Sequence, residues 1–267
     1  MPLLLPAHNP SRWTGATGNN TYLLLGAVPI LVDAGVGNRA HLDDVAGALG
    51  GVPLAAVLVT HGHPDHVGGL PAIAARWPSA RVIRFADLMA RADEAIPAGD
   101  THLRPVHTPG HAPDHLCFLD EAAGDLYCGD LVRTGGTIVI PASGGGNLRE
   151  YLASLRLVRA LAPRRLLPGH GEIIDDPASI VDRYLRHREE REAQILGALR
   201  DGFETPQTIA AHVYGRLPDA IAKAAADGVL AHLIKLEEEQ RVRRAAIPSA
   251  GPAGVPPASM PSAWRLV

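Results

Sequence analysis

Four side chains of metal-binding type lie within six residues of this chain, at His61-Gly62-His63-Pro64-Asp65-His66. The segment follows a continuous apolar run at 54–60, which is typical of a strand covered on both faces. Helical apolar spacing follows over 66–77. Loops at such strand-to-helix turns commonly carry functional sites. A backbone that turns here sends His61 and His63 one way and Asp65 and His66 another, so the spacing favours two metal ions over one.

Three further residues of ligand type stand at the ends of predicted strands, beside glycine or proline. They are His111 in TPGH, Asp130 in CGD and His170 in PGHG. Any one of these histidines alone is more commonly an ordinary core or surface residue, but the full set in this order favours a metal site. Imidazole and carboxylate ligands suit Zn²⁺, although ligand type alone leaves iron and manganese open. Two such ions roughly 3.5–4 Å apart can hold a hydroxide nucleophile.

The HxHxDH cluster with His111, Asp130 and His170 resembles the metallo-β-lactamase fold superfamily. The resemblance implies an αββα sandwich of the α/β class with a binuclear zinc site at one edge. It implies three ligands for each metal, Asp130 as a bridge between them, and Asp65 as a catalytic group that also receives a proton from the attacking water. The implied ligands are His61, His63 and His111 for the first metal, and Asp65, His66 and His170 for the second.

Three more residues are candidates for supporting the site. Asp33 ends a predicted strand in LVDAG and is expected to accept the free ring N–H of a ligand histidine. Thr60 is expected to act similarly. His115 lies four residues past His111 and is a candidate catalytic residue that contacts substrate or donates a proton; a purely structural role is the alternative.

The patterns along the chain divide it into a large and a small part. Strands are predicted at 20–25, 29–33, 81–85, 103–108 and near 137–140, with a hairpin over 115–129. Helices are predicted at 66–77, 148–161 and 177–199, and three short ones at 205–213, 217–227 and 228–240. We therefore expect a catalytic domain over 1–175, a linking helix over 177–199 and a winged-helix-like domain over 200–267. Residues 241–247 and 263–267 are predicted to pair as a hairpin, with 248–262 as its loop.

Further motifs resemble the lactamase-beta-like protein 2 subfamily, which carries a C-terminal winged helix. They are TGNNTYL at 17–23, TPGH at 108–111, LPGHG at 167–171 and YLRHREERE at 184–192. The sequence departs from the subfamily at 133–147, RTGGTIVIPASGGGN. Within it, Ser143, Gly144, Gly145, Gly146 and Asn147 are expected to form a mobile loop that borders the site and contacts substrate; a surface turn remote from the metals is the alternative.

The subfamily resemblance implies two hydrolytic substrates: single-stranded RNA, which we expect, or a small-molecule ester or thioester, including acyl groups on a carrier. A β-lactamase and a non-enzymatic winged-helix DNA-binding protein are further alternatives. A cluster of cations near the expected wing could neutralise phosphates or form an ordinary solvated face. It comprises Lys235, Arg241, Arg243, Arg244 and Arg265.

The composition limits the partners and the cellular location that we expect for this protein. The chain has 267 residues, 46% of them hydrophobic, and a net charge of −3, which argues against a strongly basic nucleic-acid coat. Two cysteines exclude a disulfide scaffold. The longest apolar stretch, 23–32, is too short to span a bilayer, and the N-terminus does not resemble a secretory signal. We expect a cytoplasmic protein with no membrane partner; contact with a second copy of the chain is left open.

Overall fold

Two five-stranded sheets form the centre of the larger part of the molecule. The computed structural model describes residues 1–89, 95–245 and 263–267. The first sheet has the order β1-β2-β3-β4-β5 and the second β10-β9-β8-β7-β6. Their strands are β1 (Leu3–Pro6), β2 (Asn20–Leu24), β3 (Ile30–Val32), β4 (Ala56–Leu58), β5 (Arg81–Ile83), β6 (Ile96–Ala98), β7 (Thr101–His107), β8 (Leu116–Asp120), β9 (Asp125–Gly129) and β10 (Arg165–Pro168).

Helices cover the outer face of each sheet. In the first sheet, β3, β4 and β5 run parallel, whereas β1 pairs with β2 and β2 with β3 in antiparallel fashion. In the second sheet only β9 and β10 are parallel. The helices are α1 (Arg39–Leu49), α2 (Pro64–Val67), α3 (Leu70–Arg76), α4 (Phe85–Met89), α5 (Leu148–Leu161), α6 (Pro177–Arg200), α7 (Pro206–Tyr214) and α8 (Asp219–Glu238).

Apolar side chains form three buried layers, one between the two sheets and one between each sheet and the helices outside it. Leu58 of the first sheet and Phe118 of the second belong to one buried cluster between the sheets. Val45 of α1 packs on the outer face of the first sheet, and Leu155 of α5 packs on the outer face of the second. Burial on both faces explains why the strands read as continuous apolar runs. The expected αββα sandwich is confirmed.

The C-terminal part of the molecule, the small domain, has its own core, separate from that of the large domain that contains the two sheets. The end of α6, α7, α8 and an antiparallel hairpin of β11 (Val242–Ala245) and β12 (Ala263–Leu266) surround a buried cluster that includes Trp264. The hairpin pairing is confirmed, and its predicted loop at 248–262 lies outside the described residues. This order of helices followed by a hairpin is the expected winged-helix arrangement.

Three sequence predictions of local structure are wrong. The helix predicted at 66–77 is divided into α2 and α3 at Gly68-Gly69, where a Cβ on Gly69 would overlap the carbonyl oxygen of Ala34. The two helices predicted at 217–227 and 228–240 are the single helix α8, which continues through Gly228. The strand predicted near 137–140 is an irregular segment. Side chains instead of a neighbouring strand bond its carbonyl oxygens: Ile138 O accepts from Arg188 and Val139 O from His111.

Candidate metal centre

Four chain segments meet at one edge of the sandwich and bring the seven predicted ligands together. The segment after β4 leads into α2, whose N-cap is His63 and whose first turn contains Asp65. The other three segments follow β7, β9 and β10. They supply His111, Asp130 and His170.

Three imidazole nitrogens converge on the first side of this centre. Nδ1 of His63 lies 3.0 Å from Nε2 of His61 and 2.9 Å from Nε2 of His111. Three histidine nitrogens that face one point, with an open fourth direction, are the protein ligand set of one kind of catalytic zinc site. The grouping agrees with the ligand set that the sequence resemblance implied for the first metal.

Asp65, His66 and His170 form the second group. Nε2 of His170 lies 3.4 Å from Oδ2 of Asp65, and Nε2 of His66 lies 3.8 Å from the same oxygen. Asp130 stands between the two groups: its Oδ1 is 3.3 Å from Nε2 of His170 and its Oδ2 is 3.6 Å from Nε2 of His111.

The donor atoms fit a pair of metal ions. Oδ1 of Asp130 is buried and forms no hydrogen bond with any residue that the structure describes. A buried carboxylate oxygen without a partner is costly, and a cation between His66, His170 and Asp130 would satisfy it. Nitrogen and carboxylate ligands of this kind suit Zn²⁺.

Hydrogen bonds hold the ligand rings from behind. Nδ1 of His66 donates to Oδ2 of Asp33 at 2.7 Å. The Thr60 hydroxyl donates to the Asp33 carboxylate and also lies 3.1 Å from Nδ1 of His61. Nδ1 of His111 donates to the carbonyl oxygen of Val139 at 2.8 Å. Such contacts fix the ring orientation and the tautomer of a metal ligand, so the geometry gives Asp33 and Thr60 the positions expected of supporting residues.

Burial and the carboxylates of Asp33, Asp65 and Asp130 determine how the pKa values in the centre are shifted. Burial lowers the pKa of His61, and the nearby His66 lowers it further. Burial also opposes protonation of His170, but Asp130 and Asp65 outweigh it and raise the pKa of His170 to about 9. His66 and His170 in turn outweigh the effect of burial on Asp130 and lower the pKa of that carboxyl. Asp33 and Asp130 likewise outweigh burial and raise the pKa of His66. Since a histidine must be deprotonated to bind a metal, metal binding at these two rings would release protons.

The geometry around His115 favours the structural role that the sequence left open as the alternative to catalysis. The side chain is fully buried; its Nδ1 lies 2.9 Å from the Thr108 hydroxyl and its Nε2 accepts from the backbone N–H of Asp130 at 3.0 Å. Burial and the neighbouring His111 lower the pKa of His115 to about 3. A buried neutral ring with both nitrogens engaged cannot meet substrate or donate a proton to it. His115 instead holds the backbone of Asp130.

The loop at 143–147 lies beside the segment that carries His111. The N–H of Asn147 donates to the carbonyl oxygen of Gly110, and a Cβ on Gly145 would lie 3.7 Å from Pro113. Ser143 is fixed to α8, because its N–H and its hydroxyl donate to the two carboxylate oxygens of Asp227, each at 2.9 Å. The loop borders the site at one end and contacts the small domain at the other. Its mobility and its contact with substrate stay predictions.

The sequence did not identify two residues that form hydrogen bonds at or behind the site. Nδ2 of Asn19 donates to Oδ2 of Asp65 at 3.1 Å. Arg188 of α6 donates to the carbonyl oxygen of Ile138 and the hydroxyl of Thr137, next to the Val139 carbonyl that holds His111. Both residues lie inside the recognised motifs at 17–23 and 184–192, so the signal was present, but neither type is a metal ligand.

Comparisons with known proteins agree with this geometry. The family model of the metallo-beta-lactamase superfamily matches residues 14–84 and 79–170, and that of the beta-lactamase associated winged helix domain matches residues 205–249. The Beta-lactamase-like protein 2 homolog of Drosophila melanogaster is 34% identical over 264 residues, covering 88% of this chain and 87% of the relative. The chain belongs to the metallo-β-lactamase superfamily, which consists generally of hydrolases.

Two further similarities bear on activity and fold. The Atrochrysone carboxyl ACP thioesterase of Aspergillus chevalieri is 30% identical over 243 residues, covering 84% of this chain and 77% of the relative. A metallo-beta-lactamase family protein from Thermus thermophilus superimposes with a TM-score of 0.79 at 24% identity, covering 100% of this chain and 98% of the other. That superposition shows a shared fold over both domains. Among the helices that the structure describes, none has the length and apolar character needed to cross a bilayer.

Proposed function

We propose that this chain is a hydrolase of acyl thioesters or esters that depends on two metal ions, with zinc as the expected metal. The observation that carries the proposal is the convergence of seven ligand side chains, with the buried Oδ1 of Asp130 between their two groups and without a hydrogen bond among the described residues. His61, His63 and His111 would hold one ion, Asp65, His66 and His170 the other, and Asp130 would lie between them. When bound, such ions polarise the scissile carbonyl and make water nucleophilic at neutral pH.

Asp65 is the residue of the centre best placed to accept a proton during attack. Its side chain is 31% exposed, whereas those of Asp130 and His66 are 11% and 0% exposed. Asn19 and His170 hold its Oδ2, and the hydrogen bond from His170 and the charge of His66 lower the pKa of the carboxyl against the opposing effect of burial. A carboxylate that is ionised and partly open to solvent can take the proton that the attacking water loses.

The charges near the wing support a thioester or ester over a polyanion. Lys235 lies 2.7 Å from Glu192 and 2.8 Å from Glu239, and Arg241 also pairs with Glu192. Arg244 pairs with Glu237 and Arg265 with Glu204. Four of the five wing cations therefore already have carboxylate partners, which reduces their capacity to neutralise phosphates. The sequence preference for single-stranded RNA stays a prediction.

The similarity to a protein named as a carrier-protein thioesterase points in the same direction. The deciding experiment compares the zinc-loaded protein on a panel of acyl thioesters and on a single-stranded RNA oligonucleotide, with Asp65→Ala as the matched inactive control. We expect release of free thiol that requires Asp65 and metal. Cleavage of the RNA without thioester hydrolysis would overturn the thioester assignment and support the phosphodiester alternative.

A further inference from the structure

An apolar groove lies between the winged helix and the 142–144 turn of the large domain. Its volume is about 630 Å³, within the usual range of about 300–1,000 Å³ for small-molecule sites. The floor consists of small and aliphatic side chains from α7, α8 and the connection between them. They include Pro206, Ala210, Leu217, Ala222, Ala226 and Leu230.

The groove is separate from the metal centre, because none of the seven ligands lines it. Ser143 nevertheless forms part of its wall, and the double hydrogen bond from Ser143 to Asp227 joins the large domain to α8 at this point. Two residues further along, Gly145 faces Pro113, which follows His111 by two positions. A molecule in the groove would therefore contact both domains next to the loop that carries His111.

Two cations lie among the residues that line this apolar space. Arg216 and Lys223 are both exposed, and in the described part of the chain neither forms an ion pair. The carboxylate of Asp227 also lines the groove, but the N–H and hydroxyl of Ser143 engage both of its oxygens. The groove thus combines an aliphatic surface with two unpaired positive charges. This combination complements a ligand with an apolar chain and an anionic end.

We propose that this groove binds a long-chain carboxylate, with its chain on the alanine-rich floor and its carboxylate at Arg216 and Lys223. The proposed hydrolysis of an acyl thioester releases an acid of this class, so the identity of the ligand rests on the proposed function, whereas the shape and charge of the groove do not. Bound ligand would connect the 142–144 turn to α7 and α8. It would therefore stabilise the arrangement of the two domains.

Calorimetric titration of dodecanoate into the zinc-loaded full-length protein tests the proposal. We expect saturable binding that weakens by about two- to fourfold for each CH₂ removed in a decanoate and octanoate series, as burial of the chain requires. Absence of binding, or affinity independent of chain length, would overturn the proposal.

Variants locate the binding. Ala222→Phe fills the groove and should reduce affinity at least tenfold, whereas Ala220→Phe, exposed two residues earlier on α8 and outside the groove, should not. Arg216→Gln with Lys223→Gln should weaken binding several-fold, and Arg186→Gln on α6 should leave it unchanged. Equal affinity in Ala222→Phe and wild type would place the carboxylate elsewhere and refute the site. Thioester turnover is measured separately, so loss of the proposed function and loss of the proposed site are distinguished.

Discussion

Arg188 of α6 donates a hydrogen bond of 2.5 Å to the carbonyl oxygen of Ile138, fifty residues earlier in the chain. The neighbouring carbonyl, that of Val139, accepts the Nδ1–H of His111 at 2.8 Å. Arg188 also lies over the ring of Tyr151, whose hydroxyl bonds the carbonyl oxygen of Leu131. The helix that leads to the winged helix therefore holds the segment that orients the candidate metal ligand His111.

This relationship predicts that Arg188→Ala weakens metal binding without unfolding the protein. Loss of the guanidinium frees the 137–140 segment and with it the orientation of His111. Removing support behind a ligand commonly costs 10–100-fold in metal affinity, and we expect about tenfold here because Arg188 acts through one intervening residue. Competition with a chromophoric chelator measures the affinity. Arg186→Ala, exposed on the same helix, is the control, and equal affinities in the two variants would contradict the proposed support.

Metal content is a second prediction. The seven ligands predict about two zinc-type ions per chain, measured by elemental analysis of the purified protein. Since metal binds the folded state, removal with a chelator should lower the melting temperature, and added zinc should restore it. Protein that contains no metal and gains neither stability nor activity from zinc, iron or manganese would contradict the binuclear site.

Replacement of Asp65 tests whether this carboxylate is required for catalysis. Asp65→Ala should reduce kcat by orders of magnitude on the best substrate, because the variant loses a ligand and the carboxylate that accepts the proton. Its fold should persist, since Asp65 lies at a partly exposed edge of the core. Circular dichroism checks the fold and kcat checks the chemistry. A kcat close to that of the wild type would show that another group takes the proton.

The grouping of the candidate metal ligands was largely predictable because they occur in a fixed order with short spacings. His61, His63, Asp65 and His66 are local in sequence, so their type and position were readable without tertiary information. The hydrogen bond that orients His111 could not be predicted in this way. Its acceptor is a backbone carbonyl of an irregular segment, and Arg188 holds that segment from a distant helix. For a related reason the sequence left a catalytic and a structural role of His115 open: its position is near the candidate ligands, and only its burial and the hydrogen bond from the N–H of Asp130 favour the structural role.

The secondary-structure predictions were right where the local sequence determines the structure and wrong where tertiary contacts determine it. The amphipathic helix at 148–161 was predicted with the bounds that the structure gives it. The break between α2 and α3 depends on the close approach of Gly69 to Ala34, and the continuity of α8 through Gly228 depends on packing against the hairpin core. The strand β1 and the helix α1 were missed, because β1 is a short edge strand that depends on its pairing with β2 and α1 is stabilised by packing on the first sheet.

The buried His41 predicts an acid-sensitive contribution to stability. Its ring is fully buried on α1, with Nε2 lying 2.8 Å from the Thr21 hydroxyl. Burial and the neighbouring His8 lower its pKa from 6.5 to about 4. The unfolded chain therefore takes up a proton below about pH 6.5 while the folded protein resists it, so the free energy of unfolding falls as the pH drops from 6.5 to 4.

The difference between wild type and His41→Gln isolates this effect. Denaturant unfolding at a series of pH values should show the wild type losing up to about 3 kcal/mol more than the variant between pH 6.5 and 4. His102→Gln, at an exposed position on β7, should follow the wild-type curve. Parallel curves for the wild type and His41→Gln would show that His41 is protonated equally in the folded and unfolded states.

The end of the chain should be essential to the small domain. Trp264 is 1% exposed, its backbone N–H donates to the carbonyl oxygen of Glu204 at 2.7 Å, and the guanidinium of Arg244 lies 4.9 Å from the centre of its ring. Truncation of a buried tryptophan to alanine typically costs about 3–5 kcal/mol. Trp264→Ala should therefore destabilise this domain by that amount, and deletion of residues 261–267 should destabilise it further, because the deletion also removes β12 from the hairpin.

Val267→Ala, at a side chain that is 79% exposed, is the control and should leave stability unchanged. Thermal and denaturant unfolding measure all three variants; unchanged stability in the deletion would mean that β12 adds nothing to the core.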